Sequence, residues 1–293
     1  MNRLIVYLLD KIFILLFSKI IKLAKSNFDN NFFYNYIYYS RLISKIAFIN
    51  YKIFFIKKPY IGRHLFSNQW GNYKKKNTFR KIIKEFVLNK NKISYLEIGS
   101  YAGGSLLCAS NFFKSYKINY IAYAIDLHDK IYNKMDIEKF SLYSEIEEYS
   151  KSKKVKKLFE HNLKYSNLNI KYFNTDIDGF LKKINLKKIE KIDIFYIDAG
   201  HMYNDVLNDI QKCLKIASIQ KTKEFLIFGD DHGLPYEKVK KEYNINYLKT
   251  DTIRSKITGT TFHPGVTKAV YDCFGTVKSE NGIWYKQFNI SSD

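Results

Sequence analysis

The stretch 93–126 constrains the fold of this chain more than any other part of it. An apolar run from Ile93 to Ile98 leads into a glycine turn, residues 106–113 have the pattern of a helix, and a second apolar run ends on Asp126. Glycine permits unusual backbone dihedrals and lets a ligand approach without a Cβ in the way. The order strand, glycine turn, helix, strand and acid predicts a site for a nucleoside-containing cofactor in a Rossmann-like sheet.

The glycine spacing distinguishes two classes of cofactor. Dinucleotide sites use G-x-G-x-x-G, whereas here Glu97 stands two residues before Gly99 and the next glycines are Gly103 and Gly104. A carboxylate would repel a pyrophosphate but attract an ammonium group. S-adenosylmethionine carries an amino group, a carboxylate and a ribose and no phosphate, so the pattern favours it over NAD. Asp126 is the expected acceptor for the ribose hydroxyls.

Strands and helices are expected to alternate after this stretch, which is typical of a mostly parallel sheet with helices on both faces. Before it, residues 79–88 have the pattern of a helix and residues 61–77 that of a loop, while residues 266–274 suit a helix or a strand. A chain of 293 residues that is 46% hydrophobic can form one large α/β domain plus an appendage. We therefore expect a domain over residues 61–293 and an N-terminal helical extension over residues 1–60. Further strands are expected at residues 169–173, 192–197, 225–228 and 282–288.

Acids follow the predicted strands at the edge where such sheets bind ligands. Asp198 and the pair Asp230-Asp231 would meet at neighbouring strand ends, where three carboxylates repel one another unless a cation neutralises them. Oxygen ligands of this kind suit Mg²⁺, Mn²⁺ or Ca²⁺ rather than zinc. Asp176 precedes a predicted helix, so a helix cap and a contact to the adenine side of the cofactor remain equally open.

Two histidines accompany these acids. His201 lies three residues after Asp198, and its ordinary pKa near neutrality suits a general base. His232 follows the acid pair and is a second candidate base or ligand. The sequence does not rank it.

Several motifs together resemble a known family, the class I S-adenosylmethionine-dependent methyltransferases. Within that family the chain is similar to the metal-assisted sugar O-methyltransferases of the macrocin O-methyltransferase and cephalosporin-hydroxylase-like group. The resemblance covers roughly residues 93–288. The motifs that carry it are Leu96-Glu97-Ile98-Gly99-Ser100-Tyr101-Ala102-Gly103-Gly104-Ser105, Ala124-Ile125-Asp126, Ile197-Asp198-Ala199-Gly200-His201-Met202-Tyr203, Gly229-Asp230-Asp231 and His263-Pro264-Gly265-Val266.

The resemblance implies a seven-stranded sheet with one antiparallel strand near the C-terminus, and His201 as the base. The family usually has Asp-Gly-x-His where this chain has Asp198-Ala199-Gly200-His201, so the flexible residue is shifted by one place. The divalent metal would lie on Asp198, Asp230 and Asp231. The resemblance implies cofactor contacts at Glu97, Gly99, Ser105 and Asp126. The sequence pattern adds the turn residues Ser100, Gly103 and Gly104 and the strand-end acid Asp176 to the expected cofactor site.

The formal charge of +21 raises the question of nucleic acid as a partner. Only five of the 49 basic residues are arginine, the residue that grips phosphate at two points, and the other residues common here also have A/T-rich codons. Codon bias therefore explains the lysines better than nucleic-acid binding does. Three cysteines without a C-x-x-C pair favour a reducing cytoplasm.

Residues 1–26 are strongly amphipathic, with a basic stripe at helical spacing and charges that interrupt any transmembrane run. Two interpretations are equally balanced. The segment would lie on the anionic inner face of the membrane, or its apolar side would pack on a partner subunit or on the domain itself. The aromatic segment 28–60 would cap the sheet or extend the same surface.

The function expected from these features is methyl transfer from S-adenosylmethionine to a sugar hydroxyl of a glycan, a glycolipid or a secondary metabolite. The alternatives are an RNA methyltransferase and a non-catalytic membrane-associated module that keeps the fold. The sequence does not decide whether the chain forms a homo-oligomer.

Overall fold

A computed structural model of the chain describes residue 50 and residues 53–59, 73–128, 153–255 and 261–289. Residues 1–26 and most of the aromatic segment 28–60 lie outside the described residues. The predicted extension and its boundary with the domain therefore stay predictions.

Helices and strands alternate along most of the described chain. The helices are α1 (Tyr73–Val87), α2 (Gly104–Ser115), α3 (Lys154–Ser166), α4 (Ile177–Lys183), α5 (Tyr203–Ile219), α6 (Tyr236–Glu242) and α7 (Pro264–Phe274). The strands are β1 (Lys92–Ile98), β2 (Asn119–Ile125), β3 (Ile170–Phe173), β4 (Ile194–Ile197), β5 (Glu224–Gly229), β6 (Ile253–Arg254), β7 (Thr261–Phe262), β8 (Lys278–Glu280) and β9 (Ile283–Asn289).

Seven of these strands form one sheet in the order β3-β2-β1-β4-β5-β9-β8. Strands β1 to β5 are parallel, β9 pairs antiparallel with β5, and β8 pairs antiparallel with β9. In this sheet β9 alone therefore runs against the others. The expected seven-stranded, mostly parallel sheet with one antiparallel strand near the C-terminus is confirmed.

Both faces of the sheet are buried, because successive side chains of a strand point to opposite sides. Tyr95 of β1 and Tyr196 of β4 pack in one cluster with Phe79 of α1. Their neighbours along the strands, such as Phe195, pack in the other cluster with Ile210 of α5. The two layers of helices hold the sheet so that the carboxyl ends of β1, β4 and β5 lie side by side.

The structure departs from the expectation between the domain boundary and the first strand. Helix α1 begins at Tyr73, so residues 73–77 of the expected loop 61–77 are helical. The sequence Tyr-Lys-Lys-Lys-Asn-Thr gives no apolar periodicity there, and Phe79 is the first fully buried apolar residue of the helix. The extra turn brings Lys75 to the sheet edge.

The region between β5 and α7 was also richer than expected. It contains α6 and the two-stranded sheet of β6 and β7, which pack on a small cluster around Val239 and Phe262. Residues 264–274, left open as helix or strand, form a helix that begins with proline at its first position. Across the described ranges, no helix is both long and apolar enough to span a bilayer.

Candidate functional site

The glycine turn lies against the end of the neighbouring strand. Gly99 has φ +86°, and a Cβ built on it would lie 2.2 Å from the carbonyl oxygen of Asp198. Gly103 also has φ +86° and directly precedes α2, where no side chain of the described chain caps the helix. The N–H groups of the first turn of α2, which begins with Gly104 and Ser105, are therefore left for a ligand. The Gly103 N–H closes the turn by donating to the Ser100 carbonyl at 2.7 Å.

Glu97 lies below this turn with no exposed surface. Its two carboxylate oxygens accept hydrogen bonds from Tyr95 at 2.5 Å and from Ser105 at 2.7 Å. Burial raises the pKa of Glu97 to about 7, against these hydrogen bonds. The carboxylate thus joins β1 to the start of α2, and its predicted contact with a cofactor amino group stays a prediction.

Asp126 supports the turn from the end of β2. Its carboxylate accepts from the backbone N–H of Tyr101 at 2.6 Å and from that of His128 at 2.7 Å, and its side chain remains 16% exposed. The His128 ring donates through Nε2 to the Tyr101 carbonyl at 2.6 Å. Asn162 of α3 donates to the carbonyl of Ala102 at 2.8 Å. The predicted ribose acceptor therefore already helps to shape the turn.

Asp176 caps a helix. Its Oδ1 accepts from the backbone N–H of Gly179 at 2.7 Å, at the start of α4. The cap is one of the two readings that the sequence left open, and the adenine-side contact stays a prediction.

The three predicted metal-binding acids meet where β4 and β5 end, and a lysine accompanies them. Lys75 of α1 forms an ion pair with Asp230 and lies 3.8 Å from Asp231. Burial and the neighbouring carboxylates raise the pKa of Asp198 well above its usual value and that of Asp230 to about 6. The cluster therefore retains repulsion that one lysine does not remove, which is the chemistry that a divalent cation would relieve.

His201 lies between two carboxylates. Its Nε2 is 3.1 Å from Asp231 Oδ2, and its Nδ1 is 3.6 Å from Asp251 Oδ1. Burial alone would lower the pKa of His201, but its contacts with these two carboxylates raise it to about 10. His201 in turn holds the pKa of Asp231 below the usual range despite burial, and His201 and His263 together do the same for Asp251. The ordinary imidazole pKa on which the base prediction relied does not apply to this arrangement.

A second histidine stacks on His201. The ring of His263 lies 3.9 Å from it between centroids, and His263 Nδ1 is 3.0 Å from Asp251 Oδ1. Two groups of side chains in the described ranges place their ligand atoms within 4.8 Å of one another. One is Asp198, His201 and Asp231, and the other is His201, Asp251 and His263.

Next to the acids is a cavity of about 10 Å³, close to the smallest volume that holds a water molecule. It is lined by Asp198, His201, Asp230 and Asp231, with Trp284 of β9 closing one side. The cavity is large enough for an ion and too small for an acceptor molecule.

The larger depression lies beside it and is open. Its volume is about 660 Å³, and Tyr203, residues 244–248 and Lys268 line it. Tyr203 begins α5 two residues after His201, so the depression adjoins the acidic cluster. Lys268 lies over the rings of Tyr203 at 5.6 Å and Tyr236 at 5.2 Å.

Several of these contacts are not predicted from the sequence. Lys75 falls in the expected loop 61–77, and Asp251, Tyr236 and Tyr247 come from the region after β5, where no helix or strand is expected before residue 266. His128 could have been found, because it follows a strand-end acid by two residues as His201 follows Asp198 by three. His232 contacts Ser279 at 3.2 Å, and burial lowers its pKa to about 4, which indicates a neutral ring packed on β8.

Residues 96–222 match the model of a family described as a methyltransferase domain. No curated protein sequence matches the chain.

Solved structures resemble the chain at low identity. The O-methyltransferase NovP is 11% identical, with 86% of this chain and 99% of that one covered and a TM-score of 0.48. CalS11, a TDP-rhamnose 3'-O-methyltransferase of calicheamicin biosynthesis, is 10% identical over 83% and 92% at a TM-score of 0.39. A precorrin-8W decarboxylase from Methanobacterium thermoautotrophicum is 14% identical over 73% and 90% at 0.34. Likeness at this level carries no argument about substrate.

The family match includes the glycine turn, Asp126 and Asp198, which are the residues that the sheet brings to one edge. Residues 96–222 are therefore a methyltransferase domain by this match, and the strand order with its single opposed strand is the one expected of a class I S-adenosylmethionine-dependent methyltransferase.

Proposed function

We propose that the chain is an O-methyltransferase that acts on a sugar hydroxyl of a glycan, a glycolipid or a secondary metabolite. The observation that carries the proposal is the contact between Gly99 and the backbone of Asp198. This contact joins the glycine turn, which would hold the methyl donor, to the acidic cluster of Asp198, Asp230 and Asp231. The two meet at the β1–β4 junction, where the strand order reverses and such sheets bind ligands. An acceptor oxygen bound at these acids would therefore lie next to the methyl donor.

S-adenosylmethionine would supply an electrophilic methyl group on a sulfonium. Asp126 would accept from its ribose hydroxyls, since its carboxylate stays partly exposed at the strand end. The uncapped first turn of α2 offers N–H groups to the carboxylate of the cofactor. Gly103, at φ +86°, allows the turn that leads directly into this helix.

Asp198, Asp230 and Asp231 would hold a divalent cation such as Mg²⁺, Mn²⁺ or Ca²⁺. Bound there, the cation would lower the pKa of an acceptor hydroxyl. The donor set fits such an ion, because all three ligands are carboxylates, and burial together with their mutual repulsion raises the pKa of Asp198 and Asp230. Lys75 supplies part of the required positive charge and orients Asp230.

His201 would take the proton of the acceptor hydroxyl. Its imidazole borders the same small cavity as the acids, so it is placed for that transfer. To accept a proton the ring must be neutral. The carboxylates of Asp231 and Asp251 favour its protonated form, so a neutral ring requires that another cation pair with these two carboxylates. Much of the rate acceleration would come from alignment of oxygen and methyl, a contribution of up to about 7–11 kcal/mol in favourable cases.

The open depression supports a carbohydrate acceptor. Aromatic faces such as those of Tyr203 and Tyr247 can pack on the C–H face of a sugar, and the amides of Asn244 and Asn246 can pair with hydroxyls. Lys268 is ion-paired with Asp272 and lies over the rings of Tyr203 and Tyr236, so it holds these rings in place. The combination of aromatic faces and side-chain amides favours a sugar acceptor.

The decisive experiment is methyl transfer from labelled S-adenosylmethionine to glycolipid, polysaccharide and RNA fractions, with EDTA and then with added Mg²⁺. The proposal expects label in a sugar fraction, loss with EDTA and recovery with Mg²⁺. Label in RNA alone would favour the RNA methyltransferase, and absence of cofactor binding by calorimetry would favour the non-catalytic module.

The N-terminal segment completes the proposal. Residues 1–26 would attach the enzyme to anionic lipid at the inner face of the membrane, near a lipid-linked acceptor. Flotation with phosphatidylglycerol liposomes tests it, because deletion of these residues should abolish flotation. Unchanged flotation would instead favour packing on a partner or on the domain.

A further inference from the structure

We infer that His201, Asp251 and His263 form a second cation site, selective for ions that prefer imidazole, beside the carboxylate cluster. It goes beyond the proposed function, which places a cation on carboxylates only and uses His201 as the base while this second site is empty. The geometry points to it in three independent ways.

The first is the ligand set and its spacing. Asp251 Oδ1 lies 3.0 Å from His263 Nδ1 and 3.6 Å from His201 Nδ1. Bonds of about 2.0–2.2 Å to one ion require ligand atoms roughly 3.0–3.6 Å apart in octahedral or tetrahedral geometry. Both distances fall in this range, so an ion could bind these atoms with small side-chain adjustments.

The second is the outer partner of His201. Its other ring nitrogen, Nε2, lies 3.1 Å from Asp231 Oδ2. A metal-bound histidine usually donates its second N–H to a carboxylate, which fixes the ring and raises its basicity. Asp231 is placed to be that carboxylate partner of His201 Nε2, while His201 Nδ1 is directed to Asp251.

The third is the origin of the ligands. His201 follows β4, whereas Asp251 precedes β6 and His263 lies between β7 and α7. Asp251 and His263, on either side of the small β6–β7 sheet, therefore both reach His201. The two rings lie 3.9 Å apart between centroids, a contact that places two imidazoles on one carboxylate.

Two histidines and one carboxylate are the set that binds Zn²⁺, Mn²⁺ or Fe²⁺ with positions left open. Oxygen ligands select Mg²⁺ instead. Binding requires loss of the proton that His263 Nδ1 now shares with Asp251, so uptake of the ion releases protons.

Co²⁺ is the probe, because imidazole coordination gives it visible absorption that can be titrated on the full chain without any methyl transfer. The wild type should develop these bands, Zn²⁺ should remove them, and an equal concentration of Mg²⁺ should leave them. Asp231→Asn should weaken Co²⁺ binding by about 10–100-fold, the usual effect of losing an outer carboxylate.

Matched variants locate the ion. His263→Gln and Asp251→Asn should lose the bands, whereas His161→Gln on α3 and Asp178→Asn on α4 should keep them. A zinc-edge anomalous difference map of wild-type crystals serves if a variant does not fold, and the peak should lie among the three side chains.

Absence of bands in the wild type, bands that persist in His263→Gln, displacement by Mg²⁺ or an anomalous peak elsewhere would each overturn the inference. In that case Asp251 is an acceptor that only orients two histidines. None of these measurements depends on whether the chain methylates a sugar.

Discussion

Gly99 packs against the backbone of Asp198 so closely that a Cβ at position 99 would lie 2.2 Å from the Asp198 carbonyl oxygen and 2.6 Å from the Cα of Ala199. The contact explains why the first glycine of the turn must be a glycine even apart from its φ of +86°. It also fixes the distance between the donor turn and the acidic cluster.

Gly99→Ala should therefore both destabilise the fold and weaken binding of S-adenosylmethionine. Strain in the left-handed region costs about 1–3 kcal/mol, and the clash with backbone adds to it. Gly275→Ala is the control, because Gly275 has φ +69° but nothing within 4 Å of a Cβ, so it bears the strain alone. Urea unfolding and cofactor calorimetry of both variants measure the difference. Equal effects would show that the contact with β4 is not limiting.

Asp126→Ala should weaken binding of S-adenosylmethionine by about 10–100-fold, the loss expected for a hydrogen bond to a charged group. Asp176→Ala is the comparison. As a helix cap it should cost about 1 kcal/mol of stability and leave the affinity unchanged. If Asp176 also contacts the adenine side of the cofactor, Asp176→Ala should bind S-adenosylmethionine more weakly as well. Asp176→Ser, which can still cap the helix, should then recover the stability but not the affinity for the cofactor. Calorimetry with the unfolding curves separates the two roles.

Lys75→Met should destabilise the metal-free protein by about 3–5 kcal/mol, because it leaves the buried carboxylate of Asp230 without its cation. The same change should make the protein depend on divalent ions, so Mg²⁺ should raise its melting temperature more than that of the wild type. Lys81→Met, which breaks an exposed pair with Glu280, should change neither property noticeably. A variant that Mg²⁺ fails to rescue would contradict a shared cluster of acids.

The fold could be predicted to a large extent because its signals are local. The apolar runs of β1 and β2, the glycines between them and the acids at the strand ends follow from residues adjacent in sequence, and they place Asp198, Asp230 and Asp231 at one edge. The strands of a parallel sheet that is buried on both faces have nearly continuous apolar sequences, so they are easy to recognise.

The remainder of the site could not be predicted, because it depends on distant contacts. Lys75 reaches Asp230 across 155 residues from a helix turn with no apolar pattern, and Asp251 reaches His201 from a segment without strong periodicity. These two partners decide the charge of the cluster. His201 looked like an ordinary imidazole from its neighbours in sequence, and only Asp231 and Asp251 together raise its pKa to about 10.

Asp209→Asn should stabilise the protein at alkaline pH. Asp209 is buried on α5, and burial, with repulsion from Asp205, Asp178 and Asp176, raises its pKa to about 8. A carboxyl group whose pKa is higher in the folded state than in the unfolded state favours folding below pH about 4 and loses that contribution as the pH rises to about 8. The wild type should therefore lose stability across this range by up to roughly 5 kcal/mol more than the variant.

Urea unfolding at pH 4.5, 6 and 8.5 measures this difference, and the other titrating groups cancel because both proteins contain them. Asp205→Asn, an exposed change one turn earlier on the same helix, should keep most of the wild-type slope. The two proteins should converge at pH 4.5, where the Asp209 carboxyl is protonated in the folded state and asparagine resembles it in size and polarity. Parallel stability curves for Asp209→Asn and the wild type would mean that Asp209 is ionised in the folded protein and has a cation partner.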